Sequence, residues 1–239
     1  MASNAPYQPR AGGAQRATVE IDLGLRQYML RVYNYMGGGL ALTGLIAYLG
    51  AASGFYASVA GTPLFWVVLL APLVLVFFLS FRIERMSLGA AQLSFWAYAS
   101  LVGLSLSGIF LVYTGESIAR VFFISAATFA ATSLYGYTTR RDLSRFGSFL
   151  FMGVIGIAIA GLVNMFLASS SLQFAISVIG VLVFTGLTAY DTQRIKDIYV
   201  GSDDDAIAGK KAIMGALALY LDFLNLFMML LQLFGDRRR

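Results

Sequence analysis

Two aspartates fall inside the last two hydrophobic stretches of this 239-residue chain. Asp191 ends the run Gly186-Leu187-Thr188-Ala189-Tyr190-Asp191, and Asp222 stands within Tyr220-Leu221-Asp222-Phe223-Leu224-Asn225. An ionised carboxylate at the centre of a bilayer helix costs roughly 2.5–3.5 kcal/mol on insertion scales. Two of them on neighbouring helices therefore point to ion or proton chemistry. Brought within hydrogen-bonding distance in a low dielectric, two carboxyls cannot both ionise cheaply, and they share a proton. Such a pair is a latch. Protonated, it ties its two helices together; deprotonated, it repels and must separate, recruit an arginine or bind a cation. Carboxylate oxygens suit Ca²⁺, although Asp191 and Asp222 without further fixed oxygens make only a weak metal site.

The simpler readings are structural. Asp191 lies three residues before Arg194, the spacing of a helix-surface ion pair worth a few tenths of a kcal/mol. Asp222 and Asn225 read equally as groups that only fix the packing of neighbouring helices. The arrangement of the last segment favours more than packing. At about 100° per residue, Lys211, Gly215, Ala218, Asp222, Asn225, Met229 and Gln232 share one side of a helix. A polar stripe on an otherwise apolar helix sits in the middle of a bundle or lines an aqueous cavity. The cluster Arg82, Glu84 and Arg85 reads first as a topology signal, with Arg85 and Glu84 as candidate gate partners of the carboxylates, together with Arg194 and Asn225. Arg120 stands about a turn inside its segment and reads as snorkelling to the headgroups. Asp203-Asp204-Asp205 reads as the acidic start of the last helix.

The elements that position these residues are membrane helices. The chain is 59% hydrophobic and 12% charged, with a mean hydropathy of +0.76, far from an ordinary soluble domain. Candidate spans are 35–55, 63–81, 88–113, 118–138, 146–168, 172–190 and 212–234, separated by short polar breaks. Helix is the spanning structure to expect, because barrel strands would alternate over about 10 residues. Residues 1–18 read as a disordered tail rich in Pro and Gly, and 19–239 as one seven-helix domain. The stretch 19–35 reads as a lead-in helix at the headgroup level that runs into the first span. Small residues at Gly37 to Gly39, Gly103, Gly153, Gly156, Ala160 and Gly180 predict close helix packing, with Gly156 and Ala160 a lesser candidate for a dimer face. Arginines and lysines gather in the tail and the even-numbered loops, which predicts a cytoplasmic N-terminus. Cysteine and histidine are both absent, which removes thiol catalysis, the usual zinc and haem sites, and any histidine proton relay. The net charge of +5 sits at span ends, as lipid-facing topology signals do, and not as a nucleic-acid surface.

Two segments carry a resemblance. Gly186-Leu187-Thr188-Ala189-Tyr190-Asp191-Thr192-Gln193 and Ala218-Leu219-Tyr220-Leu221-Asp222-Phe223-Leu224-Asn225-Leu226-Phe227 resemble the signature segments of the BAX inhibitor-1 family, the transmembrane BAX inhibitor motif proteins. Ser133 to Leu143 resembles the family's bacterial branch. The resemblance implies an all-α membrane protein: a seven-transmembrane-helix bundle in which six helices surround a central C-terminal helix. It also implies a pH-sensitive Ca²⁺ leak controlled by an aspartate pair, which falls on Asp191 and Asp222, in the bacterial inner membrane. Partners would then be the lipid bilayer and cations, with no cofactor beyond Ca²⁺ as the transported ion. The alternative is a non-transporting regulator of a membrane-bound ATP-dependent protease. An intramembrane aspartyl protease is disfavoured, because such enzymes carry Gly-x-Gly-Asp at the second aspartate and this chain has Tyr220-Leu221-Asp222. An enzyme is not expected.

Overall fold

The computed structural model describes residues 11–238, with side chains described from residue 23. Its helices are α1 (Ala11–Ala52), α2 (Phe55–Val59), α3 (Pro63–Arg82), α4 (Leu88–Leu106), α5 (Ile109–Val112), α6 (Gly115–Thr138), α7 (Ser144–Leu167), α8 (Ser170–Asp197) and α9 (Asp205–Phe234). Seven segments are long and apolar enough to cross a membrane, carried by α1, α3, α4 with α5, α6, α7, α8 and α9. The protein is an all-α membrane protein, as the sequence predicts. Backbone groups in lipid have no water to bind, so each segment closes its own ladder. Polar side chains start the helices where the sequence supplies them. Ser87, Thr114, Ser169 and Asp204 each accept a hydrogen bond from a first-turn amide, and the Asp204 carboxylate also suits the positive end of the helix dipole. Pro63 opens α3, where its missing N–H costs nothing, while Pro72 lies inside that helix.

The bundle is layered around α9, which packs against α1, α4, α6 and α8. Helix α3 leans on α4, and α7 leans on α8. The ring is thus four helices with two more one layer out, rather than six around one. Buried small residues let the central contacts close. A Cβ on Gly103 would meet the Thr43 carbonyl at 2.8 Å, and one on Gly136 would collide with the Ala189 carbonyl. Both glycines are places where one backbone presses on another. At the junction of α1, α4 and α9, the Thr43 hydroxyl donates to the Ala99 carbonyl at 2.9 Å and meets the Tyr220 hydroxyl at 2.6 Å.

The lead-in helix runs into the first span without a break, as the single helix α1, because Tyr28, Met29, Val32, Met36, Thr43 and Ala47 keep one buried stripe in helical register. It begins at Ala11, inside the stretch 1–18 read as a tail; residues 1–10 lie outside the described residues. Gly153 packs on Val183, but Gly156 is exposed and a Cβ there would meet nothing within 4 Å. Gly156 is therefore not an intramolecular packing site.

Most of the basic residues outside Arg120 and the C-terminal arginines collect at one end of the bundle, called here the basic end. It carries the start of α1, the turn Ile83–Arg85, and the α6–α7 and α8–α9 links. At the far end the C-terminal residues return to the bundle. Thr114 N–H donates to the Asp236 carbonyl and Arg238 N–H to the Val112 carbonyl, each at 2.9 Å. Arg120 completes this clasp, pairing with Asp236 at 2.8 Å and donating to the Phe234 carbonyl at 3.2 Å. Arg120 thereby also holds the chain end.

Candidate functional site

The polar stripe on α9 forms one side of its antiparallel seam with α8. Five of the seven predicted stripe residues meet α8 or the residue that ends it. Lys211 donates to the Ile198 carbonyl, Gly215 faces Ile195, Asp222 faces Asp191, Met229 covers Gly180, and Gln232 accepts from Ser177 at 2.8 Å. Helical spacing on both partners brings these residues together, since residues three and four apart recur on the same face. Helix α8 runs past Asp191 to Asp197 and α9 starts at Asp205, so both carboxyls lie within helices and not in the link.

Asp191 and Asp222 face each other across the α8–α9 seam, near enough for their carboxyls to act on one another. Asp222 is 5% exposed and lies near the middle of α9, whereas Asp191 is half-buried. The Asp222 Oδ2 atom finds no donor among the described residues. An ionised carboxylate only accepts, so a hydrogen bond between the two requires a proton on one of them. With a proton on one of them, the pair can close as an O–H donating to a carboxylate, which is among the stronger hydrogen bonds available. Lost, that proton leaves two like charges in a site with little water.

The other predicted residues divide. Arg194 lies one turn beyond Asp191, is exposed, and acts on the Asp191 charge without an ion pair. Asn225, one turn from Asp222, donates to the Leu221 carbonyl at 2.8 Å on its own helix. Glu84 and Arg85 sit exposed in the turn after α3, and neither forms an ion pair with the aspartates among the described residues. Glu84 instead offers its backbone carbonyl to Lys210 at 3.1 Å. Of the acidic run, Asp203 pairs with Lys211 at 2.6 Å, Asp204 caps α9, and Asp205 faces Arg31 at 3.7 Å. Among the described residues no group of three or more carboxylates gathers to hold a metal ion. Two carboxyls fit a cation in transit better than a resident Ca²⁺, which takes 6–8 oxygens.

The sequence reading missed the polar groups that brace α8 from its other sides. The Thr192 hydroxyl donates to the Thr188 carbonyl at 2.7 Å and meets Ser133 of α6 at 2.9 Å, which in turn meets Tyr33 of α1 at 2.7 Å. Gln193 accepts from the Leu143 N–H and donates to the Arg141 carbonyl, fixing the α6–α7 link. Lys196 donates to the Tyr137 carbonyl at 3.0 Å. The signal was present in the spacing Thr188, Thr192, with Lys196 a further turn on, but hydroxyls in membrane helices so often bond their own backbone that the spacing alone names no partner.

Comparison with known proteins places this arrangement. Residues 25–239 match the family described as "Inhibitor of apoptosis-promoting Bax1". The protein RP147 of Rickettsia prowazekii is 50% identical over 218 residues, covering 91% of this chain and 92% of that protein. The inner membrane protein YbhL of Escherichia coli K12 is 46% identical over 240 residues, covering 99% and 97%. A protein of Caulobacter vibrioides is 45% identical over 238 residues, covering 94% of each. With its seven apolar helices, its buried α8–α9 seam and a family match running from α1 to the last residue, the chain belongs to the Bax1-I family of membrane proteins.

Proposed function

We propose that the protein is a pH-sensitive cation leak of the bacterial inner membrane, passing Ca²⁺, with the basic end cytoplasmic and the Asp191–Asp222 pair as its gate. The observation that carries this reading is the juxtaposition itself: two carboxyls facing each other on adjacent helices, one of them buried with an oxygen that no donor among the described residues reaches. In acid the shared proton ties α8 to α9 and the seam stays shut, with Met229 seated on Gly180 between the pair and the far end. Rising pH removes the proton. The two negative charges then repel, the helices part, and the exposed carboxylates attract a cation into the opening. Flux therefore rises with pH. No covalent chemistry is involved, and the protein acts without catalysis.

The test is Ca²⁺ flux into liposomes holding the purified protein, scanned from about pH 6 to 8. Wild-type flux should rise across the range, and the double variant Asp191→Asn with Asp222→Asn should lose that dependence. Flux that falls with pH would reverse the assignment of the closed state to the shared proton. No flux above empty liposomes at any pH would reject the leak, and would favour the reading as a regulator of a membrane-bound ATP-dependent protease.

A further inference from the structure

Helices α1 and α6 both rest on α8 and α9, and toward the basic end they leave a groove between them. Its volume is about 660 Å³. On α1 it runs from Arg26 to Gly37, about 16 Å at the helical rise. The walls are apolar and yielding, with Met29, Met36, Phe129 and Leu134 among them. Methionines fill irregular gaps and adjust to what lies against them.

The two ends of the groove differ in charge. Gly37 and Phe129 close one end without a polar group. At the other stand Arg26 and Tyr137, with the Lys196 ammonium 5.8 Å from the Tyr137 ring centre. Arg140 and Arg141 follow within a turn of Tyr137. No carboxylate lines the groove among the described residues. A trough with an apolar body and a cationic mouth, opening sideways to the bilayer, complements an anionic amphiphile lying along the helices.

The floor is compatible with that occupant. Each hydroxyl carries one hydrogen. Thr192 spends its own on the Thr188 carbonyl, so it accepts from Ser133, and Ser133 therefore accepts from Tyr33. The direction of the chain is fixed, with Tyr33 as its first donor. Tyr33 lines the groove, yet its hydrogen is already committed. An acyl chain laid across it strands no donor, which is the expensive failure when polar groups are covered.

We propose that this groove binds one acyl chain of an anionic phospholipid from the surrounding leaflet, with the phosphate held at Arg26. Anionic lipid is attracted to cations at a membrane surface, and it surrounds the groove at high local concentration. The site is independent of the gating assignment, since it uses neither aspartate.

The experiment is native mass spectrometry of the full chain exchanged from nanodiscs of phosphatidylglycerol or of phosphatidylethanolamine with the same acyl chains. Wild type should retain phosphatidylglycerol about fivefold better, the scale of one cation at an anionic headgroup. Arg26→Gln should bring the two lipids to parity. Gly37→Leu fills the closed end; a Cβ there meets nothing within 4 Å, so the fold accommodates it, and retention of both lipids should fall several-fold. Ala130→Phe, on the facing wall, should repeat that loss. Equal retention of the two lipids by wild type, or unchanged retention in both filled variants, would overturn the proposal. So would a change in the dimer fraction of Gly37→Leu without a change in bound lipid, which would make the groove a contact between copies.

Discussion

At the far end of the α8–α9 seam, Gln232 Oε1 accepts from Gln173 Nε2 and from Ser177, Gln173 Oε1 accepts from Asn164 at 3.0 Å, and Asn164 Oδ1 accepts from the Ser169 N–H at 3.0 Å. About 15 Å further along α9, the same two helices meet through Asp191 and Asp222. The far cluster is built from amides and hydroxyls, which both donate and accept, so it satisfies itself at any pH. The aspartate pair consists of acceptors and closes only if a proton is present. Among the described residues the only buried side-chain atoms without a partner are Tyr28 Oη and Asp222 Oδ2, and neither belongs to the far cluster. The difference teaches where the seam can move. The far end has the makeup of a fixed joint, and on the proposed reading the aspartate level is where one proton decides between contact and repulsion.

The strongest way to break this contrast is to give the aspartate level the chemistry of the far end. Asp222→Asn supplies an amide that donates to Asp191 whatever its ionisation, so the latch should remain closed at every pH. A charge-assisted hydrogen bond contributes roughly 1.5–3 kcal/mol, which corresponds to about a 10- to 150-fold fall in the open population. Liposome flux at pH 8 should drop by that order, with the pH dependence gone. Retained, pH-dependent flux in this variant would show that the pair is not the gate.

A second test displaces α8 without touching a polar group. Gly136 of α6 lies against the backbone of Ala189, two residues before Asp191, so Gly136→Ala must push the helices apart. Overpacking of this kind costs typically 1–3 kcal/mol, read as a lowered unfolding temperature in detergent. Gly156→Ala, on the exposed face of α7, should stay within about 0.5 kcal/mol of wild type. Equal effects of the two would contradict the layered arrangement of α6 and α7 about α8.

These two glycines also mark how far sequence alone reaches. The seven spans and the one-sided polar stripe of α9 were legible, because each is set by length or by helical periodicity; the span 172–190 stopped short of the extension of α8 past Asp191 to Asp197. Which helix is central was legible only through that stripe. Mean hydropathy ranks the helices the wrong way: 2.3 for the best window of α7, which is 6% buried, against 1.9 for α9, which is 61% buried. Lipid is as apolar as a protein interior, so a lipid-facing helix and a core helix are equally oily. Partners across long separations were not legible either. Nothing near Arg120 in sequence announces Asp236, and a glycine such as Gly136 looks like Gly156 until its neighbour is known.

The far joint itself gives a smaller effect. Gln232→Leu leaves Gln173 and Ser177 without their shared acceptor, although both retain other partners at the bundle surface. Hydrogen bonds between membrane helices average about 0.6 kcal/mol and reach about 1.7. The expected loss of stability lies in that range and should be the same at pH 6 and pH 8, because no member titrates there. A loss that grew with pH would place a titrating group at the far end and erase the distinction between the two levels.

The smallest effect should come from Tyr28, which packs its ring on Tyr199 with centroids 5.4 Å apart and buries a hydroxyl that meets no partner among the described residues. A buried donor without an acceptor is a cost carried by the folded state, while the ring alone supplies the packing. Tyr28→Phe keeps the ring and removes the orphan, so stability should hold or rise by up to about 1 kcal/mol. Asp222 is the opposite case, although its oxygen is equally unpartnered by protein donors: Asp222→Leu removes the group that receives or supplies the shared proton, and flux loses its pH dependence. The two substitutions together separate an orphan that is only tolerated from one that is used. A marked loss of stability in Tyr28→Phe would mean that its hydroxyl is held by a bound water or ion, and would add a third polar tie to the basic end of the bundle.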